Sequence, residues 1–226
     1  MTKTAFLFLF LSSALFANAI GIVHKVDGIV KVKHASSIKK SKLKKGDLIQ
    51  EGDIVSTFRK SHAVLKLQDG SNVVVGPKSV ISFENALAFA QNEGKIYYKI
   101  TSKDLKNKLK IKTNFAIIGI KGTTFIVGAD DNSSFVALKE GLIGIASIKE
   151  EFRLYKQKVM SEYEAYVRKQ KEGFEKFKKA QEEYVVTQTK EFDLEAGHVV
   201  SFEQNKAVEK PLKTKEEFAA FEKLLK

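Results

Sequence analysis

The sequence has no cysteine and only two prolines in 226 residues. Without cysteine there are no disulfides, no thiol catalysis and no thiolate metal site, and a lipoprotein-type lipid anchor is excluded as well. Stability must come from packing. Long apolar runs are also missing, with one exception at the start: residues 5–17 are uncharged and mostly apolar, preceded by Lys3 and followed by Ala17-Asn18-Ala19. This is the layout of a secretory signal peptide cut after Ala19. A membrane anchor is the alternative reading, but the run is shorter than the roughly 20 apolar residues a bilayer requires. An exported chain without cysteine suits a bacterial periplasm, and its expected location is therefore periplasmic. Acidic residues are the third shortage: 27 Asp and Glu face 39 Lys and Arg, a formal net charge of +12. That balance favours anionic envelope surfaces such as lipid head groups or lipopolysaccharide. The charge is spread lysine with little arginine, so nucleic acid is not an expected partner.

What is present from residue 20 to 148 is β patterning. GIVHKVDGIVKVKH alternates around Asp27-Gly28 and reads as a hairpin. Residues 36–45 form a lysine-rich loop. Ala63–Leu67 and Asn72–Val75 flank Asp69-Gly70, a second hairpin signal, and Gly76-Pro77 ends that strand because proline cannot donate to a ladder. Residues 86–91 read as a helical turn or a surface loop. Further short strands follow at 95–100, 108–112, 116–120, 123–127, 134–138 and 142–148. Many short strands bounded by Gly, Asp or Asn predict a mainly β fold: a sandwich, a barrel or a short solenoid-like stack.

At Lys149 the composition turns to Glu, Lys, Gln and Ala. Aromatic and apolar residues recur every eleven positions: Phe152, Tyr163, Phe174 and Val185 in one row, Tyr155, Tyr166 and Phe177 in another. Eleven residues over three turns keep a stripe on one helix face. The expectation is a helical insertion over 149–188, either one long helix or a hairpin bent near Gly173. Returning strands follow over 189–211, and then a short C-terminal helix over 212–226. That last helix would start on a capping box of Thr214 and Glu217, with Phe218, Phe221 and Leu225 on one side.

Gly46-Asp47-Leu48-Ile49 is echoed by Gly52-Asp53-Ile54-Val55. A glycine-aspartate pair before apolar residues is turn chemistry, since glycine permits positive φ and aspartate bonds the turn backbone. A calcium loop would need oxygen ligands at alternating positions, and Asp47, Asp53 and Asp69 lack that spacing. The same residues carry a family resemblance. In order they are GIVHKVDGIVKV, KLKKGDLIQEGDIVST, AVLKLQDGSNVVVGPKSVISF, NFAIIGIKGTTFIV, FVALKEGLIGI and FDLEAGHVVSF. This series resembles the FecR-like domain, the periplasmic module of iron-citrate signalling regulators, over residues 20–148 and again over 192–202. The resemblance implies a compact β domain that recognises or relays a signal, with no enzyme activity and no cofactor. Those regulators carry a cytoplasmic sigma-factor-controlling region and a membrane span before this domain. A signal peptide stands in that place here, so direct sigma-factor control is not expected.

Catalytic patterns are sparse. His24, His34, His62 and His198 are scattered, with no HExxH pair and no G-x-S-x-G elbow in the chain. Gly119–Thr124 places its lysine before the glycine and runs on as strand, unlike a phosphate loop. Asp130-Asp131-Asn132 reads as a hairpin tip. The candidate interaction face is the aromatic stripe, with Tyr155, Tyr163, Tyr166, Phe174 and Phe177 as its binding residues. It either packs against the β domain or docks an envelope protein partner or a second copy. No metal site is expected. Two function classes follow: a non-enzymatic binding, scaffold or signal-relay protein, or an envelope-acting hydrolase whose catalytic residues converge from distant segments.

Overall fold

Strand alternation sorts the chain into facing layers. In β2 (Val30–Lys33) the valines are buried while the lysines point out, and β10 (Leu109–Lys112) repeats the pattern with Leu109 and Ile111 inside. The computed structural model describes residues 19–101, 109–130, 133–157 and 184–226. These form seventeen strands in one continuous hydrogen-bonded network. The others before β10 are β1 (Ala19–Asp27), β3 (Ser41–Lys42), β4 (Leu48–Gln50), β5 (Ile54–Thr57), β6 (His62–Leu67), β7 (Asn72–Val75), β8 (Val80–Asn85) and β9 (Ala88–Lys99). Those after it are β11 (Ala116–Asp130), β12 (Ser133–Ser147), β13 (Phe152–Gln157), β14 (Tyr184–Thr189), β15 (Glu191–Glu195), β16 (His198–Glu203) and β17 (Lys206–Pro211). One helix, α1 (Glu216–Leu224), ends the described chain.

The network folds into two layers. In the first, β4 and β6 flank β1, and the order continues through β7, the second half of β9, the second half of β11, the first half of β12, β16, β17, β13 and β14. In the second, β3, β2, β5 and β8 lead to the first halves of β9 and β11, with β10 between them, and end at the second half of β12 and β15. Three strands therefore run through both layers. Each turns at a glycine of positive φ: Gly94 (+82°), Gly122 (+57°) and Gly141 (+94°). At Gly141 a Cβ would lie 2.7 Å from the Gly122 carbonyl oxygen and 2.5 Å from Thr123 Cγ2, so no larger residue fits there without movement.

One apolar core fills the space between the layers. It includes Val32, Leu43, Val55, Ile81, Phe83, Ile111 and Ile145 from one side, and Val23, Leu65, Val73, Tyr98, Phe125 and Leu138 from the other. The first layer is also apolar on its outer face. Val64, Val74, Tyr97, Ile126 and Ala137 stand directly opposite one another across five strands. α1 covers this row with Phe218 and Phe221, both buried, and the Tyr97 ring stacks on Phe221 at 5.8 Å. Burying each phenylalanine contributes about 1.5–3 kcal/mol.

The mainly β architecture agrees with the sequence reading; the long inserted helix or helical hairpin does not. Both ends of the expected insertion are strands: β13 pairs antiparallel with β14 and parallel with β17. Phe152 and Leu154 alternate into the core, which is a period of two. Pairing with β17, about fifty residues away, overrides the helix propensity of the local composition. Residues 158–183 join the paired ends Gln157 and Tyr184 and lie outside the described residues.

Three smaller expectations change as well. β1 and β2 do not form a hairpin, since Gly28 carries the chain from one layer to the other. Residues 88–91 open the long strand β9. The capping box is not formed: Lys215 is the N-cap with no side-chain bond, and Glu217 pairs instead with Lys95 at 2.6 Å.

Candidate functional site

Each glycine-aspartate turn closes on itself. Asp47 accepts the Lys44 amide at 2.7 Å, Asp53 accepts the Gln50 amide at 2.9 Å, and Asp69 accepts both the amide and the hydroxyl of Ser71. Their carboxylates are committed to the backbone and build no ligand loop. The histidines stay apart. His34 Nδ1 meets Asp53 Oδ1 at 2.9 Å, while His62 lies 3.9 Å from Asp27. Among the described residues no group of three or more His, Asp or Glu could hold a metal ion.

Gln91 and Tyr98 are buried and architectural. The Tyr98 hydroxyl donates to Gln91 Oε1, and Gln91 Nε2 donates to the carbonyls of Gly94 and Val127, each at 2.9 Å. This knot holds the corner of β9 against β11. Burial pushes the Tyr98 hydroxyl well above the usual tyrosine range. On the outer face, burial and then the neighbouring Glu222 carboxylate push Tyr97 up in the same direction.

One concavity among the described residues lies at an open end of the two layers, with a volume of about 890 Å³. Its floor is aromatic. Phe115 packs on Phe202 at 4.6 Å, and Phe202 on Phe152 at 5.5 Å. Its rim carries Asn114, Ser134, Ser147, Glu150, Gln204 and Asn205. With Asp130, Lys149 and Glu203 also lining it, the cleft sets rings below and amides, hydroxyls, three carboxylates and an ammonium above, which can hold an apolar or planar group by stacking and hydrogen bonds. Sequence reasoning missed this cleft, because its aromatic floor comes from three segments far apart in the chain. The one local signal was the aromatic residue at each strand end.

Of the expected binding residues, Tyr155 sits half-buried on β13. Its ring meets Tyr184 edge-on at 6.2 Å, and the Lys206 ammonium lies 5.2 Å from it. Tyr163, Tyr166, Phe174 and Phe177 lie outside the described residues. Beside Tyr155, the ladder of β14 among the described strands is the one with β13. Val185 and Val186 on it are 55% and 52% exposed. An edge strand with exposed valines is a site where another strand can add.

Residues 53–144 match the family described as FecR protein. Over that stretch the chain is similar to FecR proteins. The FecR match runs from the Asp53 turn through β5 to β12, which includes the three strands shared by the layers. It is narrower than the resemblance read from the sequence, and Phe152, Phe202 and the β13–β14 hairpin fall beyond it. Two crystal structures, both described as "a putative anti-sigma factor from Parabacteroides distasonis ATCC 8503", share the fold. At 2.50 Å resolution one has 13% identity and a TM-score of 0.50, covering 74% of this chain and 62% of that one. At 1.65 Å the other has 12% identity and a TM-score of 0.50, covering 74% and 63%. The chain thus spans less than two thirds of their length, and at these identities the likeness is one of fold. No curated protein matches the chain significantly. No helix among the described residues is long and apolar enough to cross a membrane.

Proposed function

We propose that this protein is a non-enzymatic recognition or signal-relay component of the FecR type, which works in the periplasm and contacts another envelope protein. The observation that carries this reading is the FecR match over residues 53–144, placed on the strands that tie the two layers together. The fold shared with structures described as anti-sigma factors supports a signalling role over a catalytic one. The contact surface is the β13–β14 hairpin: Tyr155 on its face, Val185 and Val186 on its edge strand. A partner strand added there would gain backbone hydrogen bonds, and the exposed valines would gain burial.

A photo-crosslinking residue placed at Val186 in cells tests the reading. The expected result is one discrete adduct with an envelope protein, absent when the same residue stands at Ile29 on the opposite part of the molecule. No adduct at Val186 in exported, folded protein overturns the contact surface. Turnover of cell-wall or lipid substrates by the purified full chain overturns the non-enzymatic reading.

A further inference from the structure

Residues 30–46 contain seven lysines and no aspartate or glutamate. None of the seven takes part in an ion pair among the described residues. Lys31 and Lys33 point outward from β2, because Val30 and Val32 point in. Lys42 on β3 is paired with Lys31, which places two cations side by side on the same sheet edge. Between the strands, Lys39 and Lys40 follow Ile38, which is 95% exposed.

The turn that displays Ile38 is built. The Ser37 hydroxyl accepts the Lys39 amide and donates to the Lys39 carbonyl, both at 3.1 Å, and the Ser37 amide bonds the His34 carbonyl at 3.0 Å. His34 is held in turn by Asp53, which is 1% exposed. On the other side Leu43 is fully buried, and its amide bonds the Val30 carbonyl at 2.9 Å. The segment is pegged at both ends, so the isoleucine cannot fold back into the core. Lys31 Nζ lies 5.3 Å from the Phe58 ring, and none of the five outward lysines has an anionic partner among the described residues. An apolar tip held in water beside such a row of cations matches one surface in both respects: anionic head groups above an acyl layer. A lone exposed isoleucine is ordinary; one fixed among five outward lysines is not.

We infer that the β2–β3 turn docks the protein on an anionic phospholipid bilayer, with Ile38 entering the interface and Lys31, Lys33, Lys39, Lys40 and Lys42 facing the phosphates. This inference does not depend on the FecR reading or on the hairpin contact.

Co-sedimentation of the full chain with phosphatidylcholine vesicles, with and without phosphatidylglycerol, tests it. Binding is expected only with phosphatidylglycerol, and it should fall steeply as salt is raised. K39Q/K40Q should weaken binding by on the order of thirtyfold, from about tenfold per 1.4 kcal/mol and about 1 kcal/mol per lysine at the surface. I38S should weaken it by roughly fivefold through lost apolar burial. Each variant is checked by thermal melting, and its Tm should equal that of the parent chain. Lys223→Gln on α1 is the control and should change little. The inference is overturned if the chain binds neither vesicle, or both equally. Equal losses from Lys223→Gln and K39Q/K40Q would overturn it, as would displacement by inorganic phosphate or tighter binding to duplex DNA than to the vesicles.

Discussion

β11–β12 and β13–β14 are both antiparallel pairs, yet they differ in what covers them. At the centre of the first pair Phe125 faces the inter-layer core and Ile126 faces α1, so both sides of the ladder are dry. In the second pair Phe152 and Leu154 reach the core, but the four middle residues of β14 are exposed. Pairing alone therefore does not decide stability or role. The covered pair holds the fold, while among the described residues the second pair keeps an exposed strand.

The largest effect should come from emptying the covered pair. Phe125→Ala removes a ring stacked on Tyr98 at 4.9 Å, and should cost about 3–5 kcal/mol. For a chain of this size that lowers the Tm by on the order of 10 °C in a calorimetric melt. A shift of a degree or two would show that the core collapses around the gap, and the contrast with β14 would weaken. Next comes the corner between the layers. Gly141→Val forces a β-branched residue to positive φ against the Gly122 carbonyl, and should cost about 1–3 kcal/mol in urea unfolding, with steric relaxation in addition. An unchanged midpoint would mean that the corner can flatten. The smallest effect belongs to the uncovered pair. Val186→Thr on β14 should move stability by no more than about 0.5 kcal/mol, since threonine keeps the strand preference and little burial is lost. A larger loss would place Val186 in the core side of the comparison.

Where the physics is local, the residues announced the structure. Asp69-Gly70 makes the β6–β7 turn, Gly46-Asp47 and Gly52-Asp53 make self-closing turns, and the Val–Lys alternation of β2 gives its inner and outer faces. Partner choice was not legible. Gly28 looks like a hairpin glycine in sequence, but its neighbours prefer strands in different layers, and only the folded chain shows that Ser61 waits beside it to receive the Ile29 amide. The helical misreading has a similar origin. Phe152 and Val185 fit an eleven-residue spacing, while the nearer signals, the Phe152–Leu154 alternation and the consecutive Val185, Val186 and Thr187, pointed to strands. A long-range partner, Ala207 beside Leu154, decided between them. The aromatic cleft was hidden for the same reason, because no window of sequence contains Phe115, Phe152 and Phe202 together.

The three glycine corners have a consequence for how the molecule comes apart. β9, β11 and β12 each belong to both layers, so the layers have no independent set of backbones. Neither can peel away while the other stays intact, as the halves of an ordinary sandwich can. Opening either layer must break ladders in both. Amide protons at Tyr98, Phe125 and Leu138 in one layer and at Ile118 and Ile145 in the other should then exchange through the same global event. A force that strains one face of such a structure would reach the opposite face along a continuous covalent strand.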